Sequence, residues 1–386
     1  MSAAALARQI SSFNLTPSAK ISYFAAFMLL LCVLLVVSDP GLWLFVGAHD
    51  DNAAFADMSY AIRAGDLQLV GPKKLGAFPM PSHAWGFPYV VAAVATIARV
   101  SDVQAEWVVS FASAIIAAVL VSDLWGFWVA AFLIAADWTF LEYGAYASSE
   151  PLFLALVFGS LLAVRRDKPV LAAVLAACSA TVRPLGVLLV AVVVARGCYE
   201  RKVAAAISSA AAAALILGLY CLPLILAFHD PLVSYHGYQS HDWPGGSPVT
   251  YPLGAVIANF LNRENLANRA VALVKLGYVV LHVLALGAIG FTAKLRQKAM
   301  SDLPAAAFAF IYSIFLMMYN SPSWALSIYP RLLLPVFPFF LFVFEPWLPK
   351  RWWIVTLMSC LSVIIASANG GSISTRSYFI HMIDFF

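Results

Sequence analysis

The sequence predicts an all-α membrane protein whose helices cross the bilayer many times. Of its 386 residues, 63% are hydrophobic and only 11% are charged, whereas about a quarter of the residues in an ordinary soluble domain carry a charge. The chain also contains 11 Trp, 15 Tyr and 27 Phe, and aromatic side chains anchor helices where lipid meets water. This composition excludes a soluble enzyme, a disordered chain, a coiled coil and a collagen.

About twelve apolar runs supply the transmembrane or re-entrant helices, although several are shorter than the roughly 20 residues that one crossing needs. The runs cover residues 21–38, 87–98, 107–121, 124–136, 151–164, 170–180, 185–195, 203–228, 271–293, 303–319, 332–348 and 352–366. The first run follows Arg8 and Lys20 and precedes no small-residue cleavage site. We therefore expect a retained anchor with a cytoplasmic N-terminus.

Basic clusters at residues 165–168, 196–202, 294–298 and 350–351 orient the runs. Because positively charged loops stay in the cytoplasm, an even number of crossings must separate successive clusters. This parity makes residues 170–195 a re-entrant hairpin of two half-length helices, broken by Pro184 in the tip at residues 181–184. Parity also predicts that run 124–136 does not span by itself. We expect one membrane domain, residues 1–386.

Three hydrophilic segments then lie outside the membrane, at residues 39–86, 229–268 and 320–331. In the first of them we expect a short helix that Asn52 caps and that ends before Gly65. Its apolar face would carry Phe55, Met58, Ser59 and Ile62. Because only one face of this short helix is apolar, we predict that it lies in the plane of the interface and does not cross the membrane.

Two adjacent carboxylates, Asp50 and Asp51, directly follow the first span. One of them can act as a general base toward an attacking hydroxyl. The pair can instead share a divalent cation (Mg, Mn or Ca), because hard cations prefer oxygen ligands. A solvated loop that caps the next helix is the plain structural alternative. The sequence leaves open which aspartate acts and whether a metal is bound.

Three further charged residues lie at ends or breaks of the predicted spans. Glu150 opens a span, where the helix dipole favours a carboxylate, and it can also bind a sugar hydroxyl or a cation. Arg183 lies at the hairpin tip and Arg331 at the outer edge of a span, and a guanidinium fork suits phosphate. The structural alternatives are a side chain that reaches the interface or a buried salt bridge with Glu150 or an aspartate. We favour a phosphate ligand for Arg331 and a structural role for Arg183.

The outer loop at residues 229–268 contains three of the seven histidines. Histidines grouped with aspartates can bind zinc, but their spacing matches no closed zinc site. They can also bind sugar hydroxyls beside aromatic rings that stack on a pyranose, and a polar loop without such a role is the alternative. The candidate substrate-binding residues of this loop are His236, Gln239, His241 and Trp243, with Tyr238 beside them.

Several motifs of other enzyme classes are missing from the sequence. It contains no Walker A motif, no Gly-x-Ser-x-Gly elbow and no His-Glu-x-x-His, and it offers no domain for a nucleotide sugar. A sugar donor would therefore reach the protein through the lipid. Apart from Arg183, no charged residue is predicted at mid-span, since Lys275 and Glu345 lie near span ends, where they can reach the interface.

The order and spacing of these elements resemble the GT-C class of membrane glycosyltransferases, which includes protein O-mannosyltransferases, lipid A aminoarabinose transferases and GPI mannosyltransferases. The resemblance extends from the first span to Pro338. It is carried by Asp50-Asp51 with the helix ending at residues 63–66, and by the segments 85–89, 149–154 with Arg165-Arg166, 181–184 and 329–335.

This resemblance implies a GT-C-like bundle of about 10–12 helices and an inverting transfer of sugar from a polyprenyl-phosphate donor to a glycolipid, glycan or protein acceptor. It implies that Asp50 or Asp51 is the catalytic base and that Arg331, with Arg183, binds the donor phosphate. Glu150, Tyr329 and the loop residues would bind substrate. We expect a bacterial plasma membrane with the site facing outward, and no nucleic-acid partner.

Other classes of protein stay open at this point. A lipid-linked sugar flippase or another transporter also needs a cavity, arginines and broken helices, although here the polar residues gather in outer loops. A polysaccharide polymerase or ligase shares the many spans and the large outer loop. A membrane scaffold without catalysis is the remaining alternative.

Overall fold

The computed structural model describes residues 16–38, 50–70, 83–145, 147–241, 247–261, 266–321 and 325–370, and most of these are helical. Numbered in chain order, the helices are α1 (Pro17–Ser38), α2 (Asp50–Ala64), α3 (Gly86–Ala98), α4 (Asp102–Trp125), α5 (Phe127–Ala136), α6 (Trp138–Ala145), α7 (Ser149–Arg165), α8 (Pro169–Val182), α9 (Val187–Tyr199), α10 (Val203–Phe228), α11 (Val233–His241), α12 (Gly254–Leu261), α13 (Leu266–Phe291), α14 (Ala293–Met300), α15 (Leu303–Met318), α16 (Ala325–Leu333), α17 (Phe337–Val343) and α18 (Trp352–Gly370). These ranges contain no strand, and one antiparallel bridge joins Val249 to Tyr319. The all-α prediction is confirmed.

The chain is an integral multi-pass membrane protein. Helices α1, α4, α10 and α13 are each long and apolar enough to cross a membrane. Three bent pairs, α6 with α7 (115°), α14 with α15 (111°) and α16 with α17 (57°), raise the number of candidate spans within the described ranges from 4 to 7. Other apolar helices, among them α3, α5, α8 and α9, are shorter than one crossing. The short apolar runs of the sequence predict such helices.

Alanine-lined faces hold the centre of the bundle together. Helix α7 packs between α4 and α8, and α8 packs in turn against α10. Small side chains let helix backbones approach closely where lipid offers no hydrophobic driving force. The buried alanines of this centre are Ala114, Ala117 and Ala118 in α4 and Ala172, Ala173, Ala176 and Ala177 in α8.

Gly126 interrupts the apolar run at residues 124–136. Its φ of 99° ends α4, in a backbone region that side chains with a Cβ avoid. Helix α5 then has only 10 residues, about 15 Å at 1.5 Å per residue, which is half of a hydrocarbon core of about 30 Å. Helix α5 is too short to span alone, as predicted.

The predicted hairpin also has the expected break. Helices α8 and α9 contain 14 and 13 residues and pack against each other. Between them Arg183 is extended (φ −143°, ψ 128°), and a 3-10 turn covers Pro184–Gly186. The two half-length helices are confirmed, while their re-entrant course in the bilayer stays a prediction.

Helix α2 matches the predicted interfacial helix in its end and in its face. It ends at Ala64, where Gly65 takes a φ of 73°, and Phe55, Met58 and Ser59 are buried. The Ser59 hydroxyl donates to Asp102 at 2.5 Å, which ties α2 to the start of α4. The predicted cap by Asn52 is wrong, because Asp50 already belongs to the helix and a carboxylate is favoured in a first turn.

We predict that Gly86→Ala disturbs the hairpin tip. A Cβ on Gly86 would lie 2.5 Å from the backbone carbonyl of Thr181, two residues before Arg183, and overpacking of this kind costs about 1–3 kcal/mol. The thermal unfolding midpoint in detergent should fall. The control is Gly218→Ala, where a Cβ meets nothing within 4 Å and should be neutral or stabilising. Equal midpoints for the two variants would contradict this close contact.

Candidate active site

A single guanidinium joins two carboxylates that are far apart in the sequence. Arg331, in α16, donates from Nη2 to Oδ2 of Asp51 at 2.7 Å and from Nε to Oε1 of Glu150. The side chains of Arg331 and Glu150 are only 15% and 3% exposed. The salt bridges that the sequence offers as the alternative for Arg331 are therefore formed, and they bring α2, α7 and α16 to one point.

Glu150 is shared between two arginines. Its Oε1 also accepts a hydrogen bond from Nη2 of Arg183, whose side chain is 22% exposed. Within the described part of the chain, Glu150 Oε2 and Arg183 Nε are buried and have no hydrogen-bond partner. Because buried polar atoms are nearly always paired, these two atoms mark a place where a polar ligand would be stabilised.

Breaks in regular structure position the two arginines. Arg183 follows the last residue of α8 in an extended conformation, so its side chain is not confined to a helix face. Arg331 follows Pro330 inside α16, and a proline there removes a backbone hydrogen bond. Glu150 lies in the first turn of α7, where the helix dipole stabilises a carboxylate.

The charge of Asp51 is strongly stabilised. Burial opposes its ionisation, but Arg331 and then His83 outweigh that effect and hold the pKa of the carboxyl well below its usual range. Nε2 of His83 lies 3.7 Å from Oδ1 of Asp51, whose side chain is 34% exposed. Tyr143 covers the other side of the cluster, with its ring centre 4.6 Å from Arg331 Cζ. Asp51 is therefore an accessible carboxylate that is ionised at neutral pH.

A cleft with charged and apolar walls adjoins this cluster. Its polar lining consists of Glu150, Arg183, Tyr312 and Arg331, and Phe153, Leu154 and Leu332 supply apolar surface. Its empty volume of about 190 Å³ includes space that is open to solvent. A headgroup bound beside the cluster would therefore extend beyond the cleft.

The structure does not bring Tyr329 to this cleft. Tyr329 is 1% exposed, and its hydroxyl bonds to His282 Nδ1 at 2.7 Å, while His282 Nε2 bonds to Ser313 at 2.9 Å. Residues two apart on a helix face nearly opposite directions, so Tyr329 points into the bundle while Arg331 points to the cluster.

The outer loop approaches the cluster from another side. Ser234, in α11, donates to the carbonyl of His83 at 2.7 Å. His236 and Gln239 are exposed on the same helix, and His236 pairs with Asp230 at 2.7 Å. None of their described contacts reaches Arg331. Trp243 lies outside the described residues, as do the side chains of Asp50, Tyr238 and His241.

Several polar residues of the interior were not predicted from the sequence. His83 and Tyr143 contact the cluster, and Glu106 and Asp137 are fully buried carboxylates. His83 could have been predicted from its position, because it lies just before the segment 85–89. Glu106 and Asp137 adjoin apolar runs and Tyr143 lies between two of them. There, a sequence alone does not separate a lipid-facing position from a protein-facing one.

A preformed metal centre is not evident. Across the ranges that the structure describes, no three His, Cys, Asp or Glu side chains are grouped so that they could hold a metal ion. The cation beside Asp51 is a guanidinium. Binding of Mg, Mn or Ca between Asp50 and Asp51 stays a sequence-based prediction.

Comparison with known proteins gives a distant match. No protein-family model and no curated protein matches the chain. Among solved structures, it is similar to ArnT from Cupriavidus metallidurans in the apo state, with 15% sequence identity and a TM-score of 0.46. The match covers 91% of this chain and 62% of that one, so the chain spans less than two thirds of its relative.

We predict that Glu150→Gln destabilises the protein strongly. Removal of one partner from a buried ion pair costs about 3–5 kcal/mol, and here two arginines lose their common carboxylate. The control is Glu200→Gln, which removes partly exposed ion pairs with Arg196 and Lys202, and surface pairs of this type are worth about 0–1 kcal/mol each. Unfolding midpoints in detergent compare the two. Similar small shifts would contradict the shared role of Glu150.

Proposed function

We propose that this protein is an inverting glycosyltransferase of the GT-C type, which moves a sugar from a polyprenyl-phosphate donor to a hydroxyl of a lipid or glycan acceptor. The observation that carries the proposal is the meeting of Asp51 with Glu150, Arg183 and Arg331 beside a cleft with apolar walls. A carboxylate and two guanidinium groups in one place suit a reaction in which a hydroxyl loses a proton and a phosphate leaves.

The arginines suit the donor phosphate. A guanidinium has five N–H donors, and in this cluster Arg331 uses its Nε and Nη2 while Arg183 uses its Nη2. The remaining donors can bind phosphate oxygens. Negative charge grows on the phosphate as its bond to the sugar breaks, and cations fixed beforehand stabilise such charge most effectively. Phe153, Leu154 and Leu332 offer apolar surface for the start of the polyprenyl chain.

Asp51 suits the acceptor side of the reaction. Its Oδ2 is held by Arg331, which leaves Oδ1 to accept the proton of an acceptor hydroxyl. The hydroxyl oxygen then attacks C1 of the sugar from the face opposite the phosphate. The bond from C1 to the phosphate oxygen breaks with its electron pair on the phosphate, and the anomeric configuration inverts. The positive charge of Arg331 lowers the proton affinity of Asp51. A donor phosphate bound to Arg331 would offset that charge and so raise the proton affinity of Asp51.

The distribution of basic residues supports an outward-facing site. Arg165 ends α7, whose first turn holds Glu150, and Lys168 precedes α8, whose far end meets Arg183. The basic loop and the cluster are thus at opposite ends of both helices. With the basic loop in the cytoplasm, the cluster lies on the outer side, where a lipid-linked sugar replaces nucleotide sugars as donor. We propose the bacterial plasma membrane as the location.

We predict that Asp51→Asn abolishes sugar transfer but preserves donor binding. Loss of a positioned base lowers turnover about 10²–10⁴-fold, whereas the donor phosphate is held by the arginines. Purified protein is incubated with a panel of radiolabelled polyprenyl-phosphate sugars and a membrane lipid extract, with and without a chelator. The control is Asp167→Asn, at a side chain that is 70% exposed near the opposite end of α7.

Each arm of this experiment decides one question. Asp50→Asn tests whether the neighbouring carboxylate shares the role, and loss of wild-type transfer in chelator would assign a divalent cation. Full activity of Asp51→Asn would contradict the proposal. No transfer and no donor hydrolysis by folded wild-type protein, with any donor of the panel, would favour a transporter.

A further inference from the structure

A buried imidazole joins three helices inside the bundle. His282, in α13, is 2% exposed. Its Nδ1 bonds to the Tyr329 hydroxyl of α16 at 2.7 Å, and its Nε2 bonds to the Ser313 hydroxyl of α15 at 2.9 Å. In its neutral form an imidazole has one N–H donor and one acceptor nitrogen, so it can bond to both hydroxyls at once. No step of the proposed transfer uses this group.

Both hydroxyls belong to helices that line the cleft. Tyr329 lies two residues before Arg331, which lines the cleft together with Leu332. Ser313 directly follows Tyr312, which lines the cleft as well. The imidazole therefore joins the two helices that bring Tyr312 and Arg331 to the place where a donor phosphate would bind.

Helix α16 depends on its side chains to keep its orientation. It has only 9 residues, with Pro330 inside it, and a proline within a helix removes a backbone hydrogen bond. The chain then bends by 57° into α17. Tyr329 and Arg331 are on opposite sides of this short helix, so a rotation that breaks the bond from Tyr329 to His282 would also move the guanidinium away from its carboxylates.

Contacts on several sides fix the imidazole itself. Its ring lies edge-on to Phe340 of α17, with ring centres 5.3 Å apart, and the bond to Ser313 fixes its Nε2. Helix α13, which carries His282, packs against α16. Nδ1 of His282 is therefore a fixed point to which the Tyr329 hydroxyl is bonded.

We propose that His282 is a positioning residue for Arg331. It holds the Tyr329 hydroxyl, and Tyr329 fixes the rotation of α16 at which Arg331 reaches the donor phosphate. This inference rests on the proposed transferase function, and neither His282 nor Tyr329 touches the substrate in it. Positioning of this kind matters because a displacement of about 1 Å, caused by a change far from the reacting atoms, can lower a rate about 10²-fold.

We predict that Tyr329→Phe weakens the binding of a polyprenyl phosphate to protein in lipid nanodiscs by about threefold to tenfold, the range that corresponds to the loss of one neutral hydrogen bond. The control is Tyr278→Phe, the same change one turn before His282 on α13, where the hydroxyl donates to the carbonyl of Ala136 in α5 at 3.1 Å. This control should bind the lipid like wild type, although the unfolding midpoints of both variants should fall.

Two substitutions of the imidazole test which of its bonds matters. The amide atoms of Asn are two bonds from Cβ, as is Nδ1 of His, whereas those of Gln are three bonds away, as is Nε2. His282→Asn can therefore keep the bond to Tyr329, and His282→Gln can keep the bond to Ser313. We expect His282→Asn to bind the polyprenyl phosphate more tightly than His282→Gln does, and the reverse order would contradict the role of Tyr329.

A double variant separates positioning from a general effect on the structure. If Tyr329 acts through Arg331, its hydroxyl has no effect on phosphate binding once the guanidinium is gone. Tyr329→Phe combined with Arg331→Gln should then bind like Arg331→Gln alone, which is the non-additivity expected of coupled residues. Additive losses in the double variant would overturn the positioning role.

The outcomes also distinguish this inference from the proposed function. Wild-type affinity in Tyr329→Phe, or equal losses in Tyr329→Phe and Tyr278→Phe, would overturn the positioning role alone. Undiminished binding by Arg331→Gln, or no binding by folded wild-type protein, would be a failure of the proposed function, and the role of His282 would fall with it.

Discussion

The structure of the site depends on the need to neutralise Arg331. A guanidinium that is 15% exposed at the edge of a membrane bundle has to be paired, because the cost of an unpaired buried charge is several kcal/mol. Asp51 and Glu150 supply the two negative charges, and Arg183 shares the second of them. Through these bonds the helix after the first span, the start of α7, the tip of the hairpin and α16 meet at one place.

The same balance explains why the cluster suits chemistry. Two carboxylates match two guanidinium groups, so the cluster is balanced in charge without a ligand. Among the described residues, however, one oxygen of Glu150 and one nitrogen of Arg183 have no hydrogen-bond partner. A phosphate can take up free N–H groups of the arginines, and Asp51 keeps one oxygen directed away from Arg331. Donor and acceptor groups can therefore be bound on the two sides of a single guanidinium.

Much of the fold and part of the site are predictable from the sequence. Hydropathy and charge parity predict the break at residues 181–184 and the short helix α5, because Pro184 and Gly126 act locally on the backbone. The end of α2 at Gly65 follows from the same local rules. Asp51, Glu150, Arg183 and Arg331 are predicted as individual residues, but their meeting depends on how separate helices pack. The direction of Tyr329 and the approach of His83 depend on tertiary packing in the same way.

The most direct test of the account is the binding of a polyprenyl phosphate without sugar to purified protein in lipid nanodiscs. We predict that Arg331→Gln binds it at least about tenfold more weakly than wild type, since a hydrogen bond to a charged group contributes about 1.5–3 kcal/mol. Arg63→Gln, which removes a more exposed arginine paired with Asp102, should bind like wild type. Undiminished binding by folded Arg331→Gln would contradict the assignment of Arg331 as the phosphate ligand.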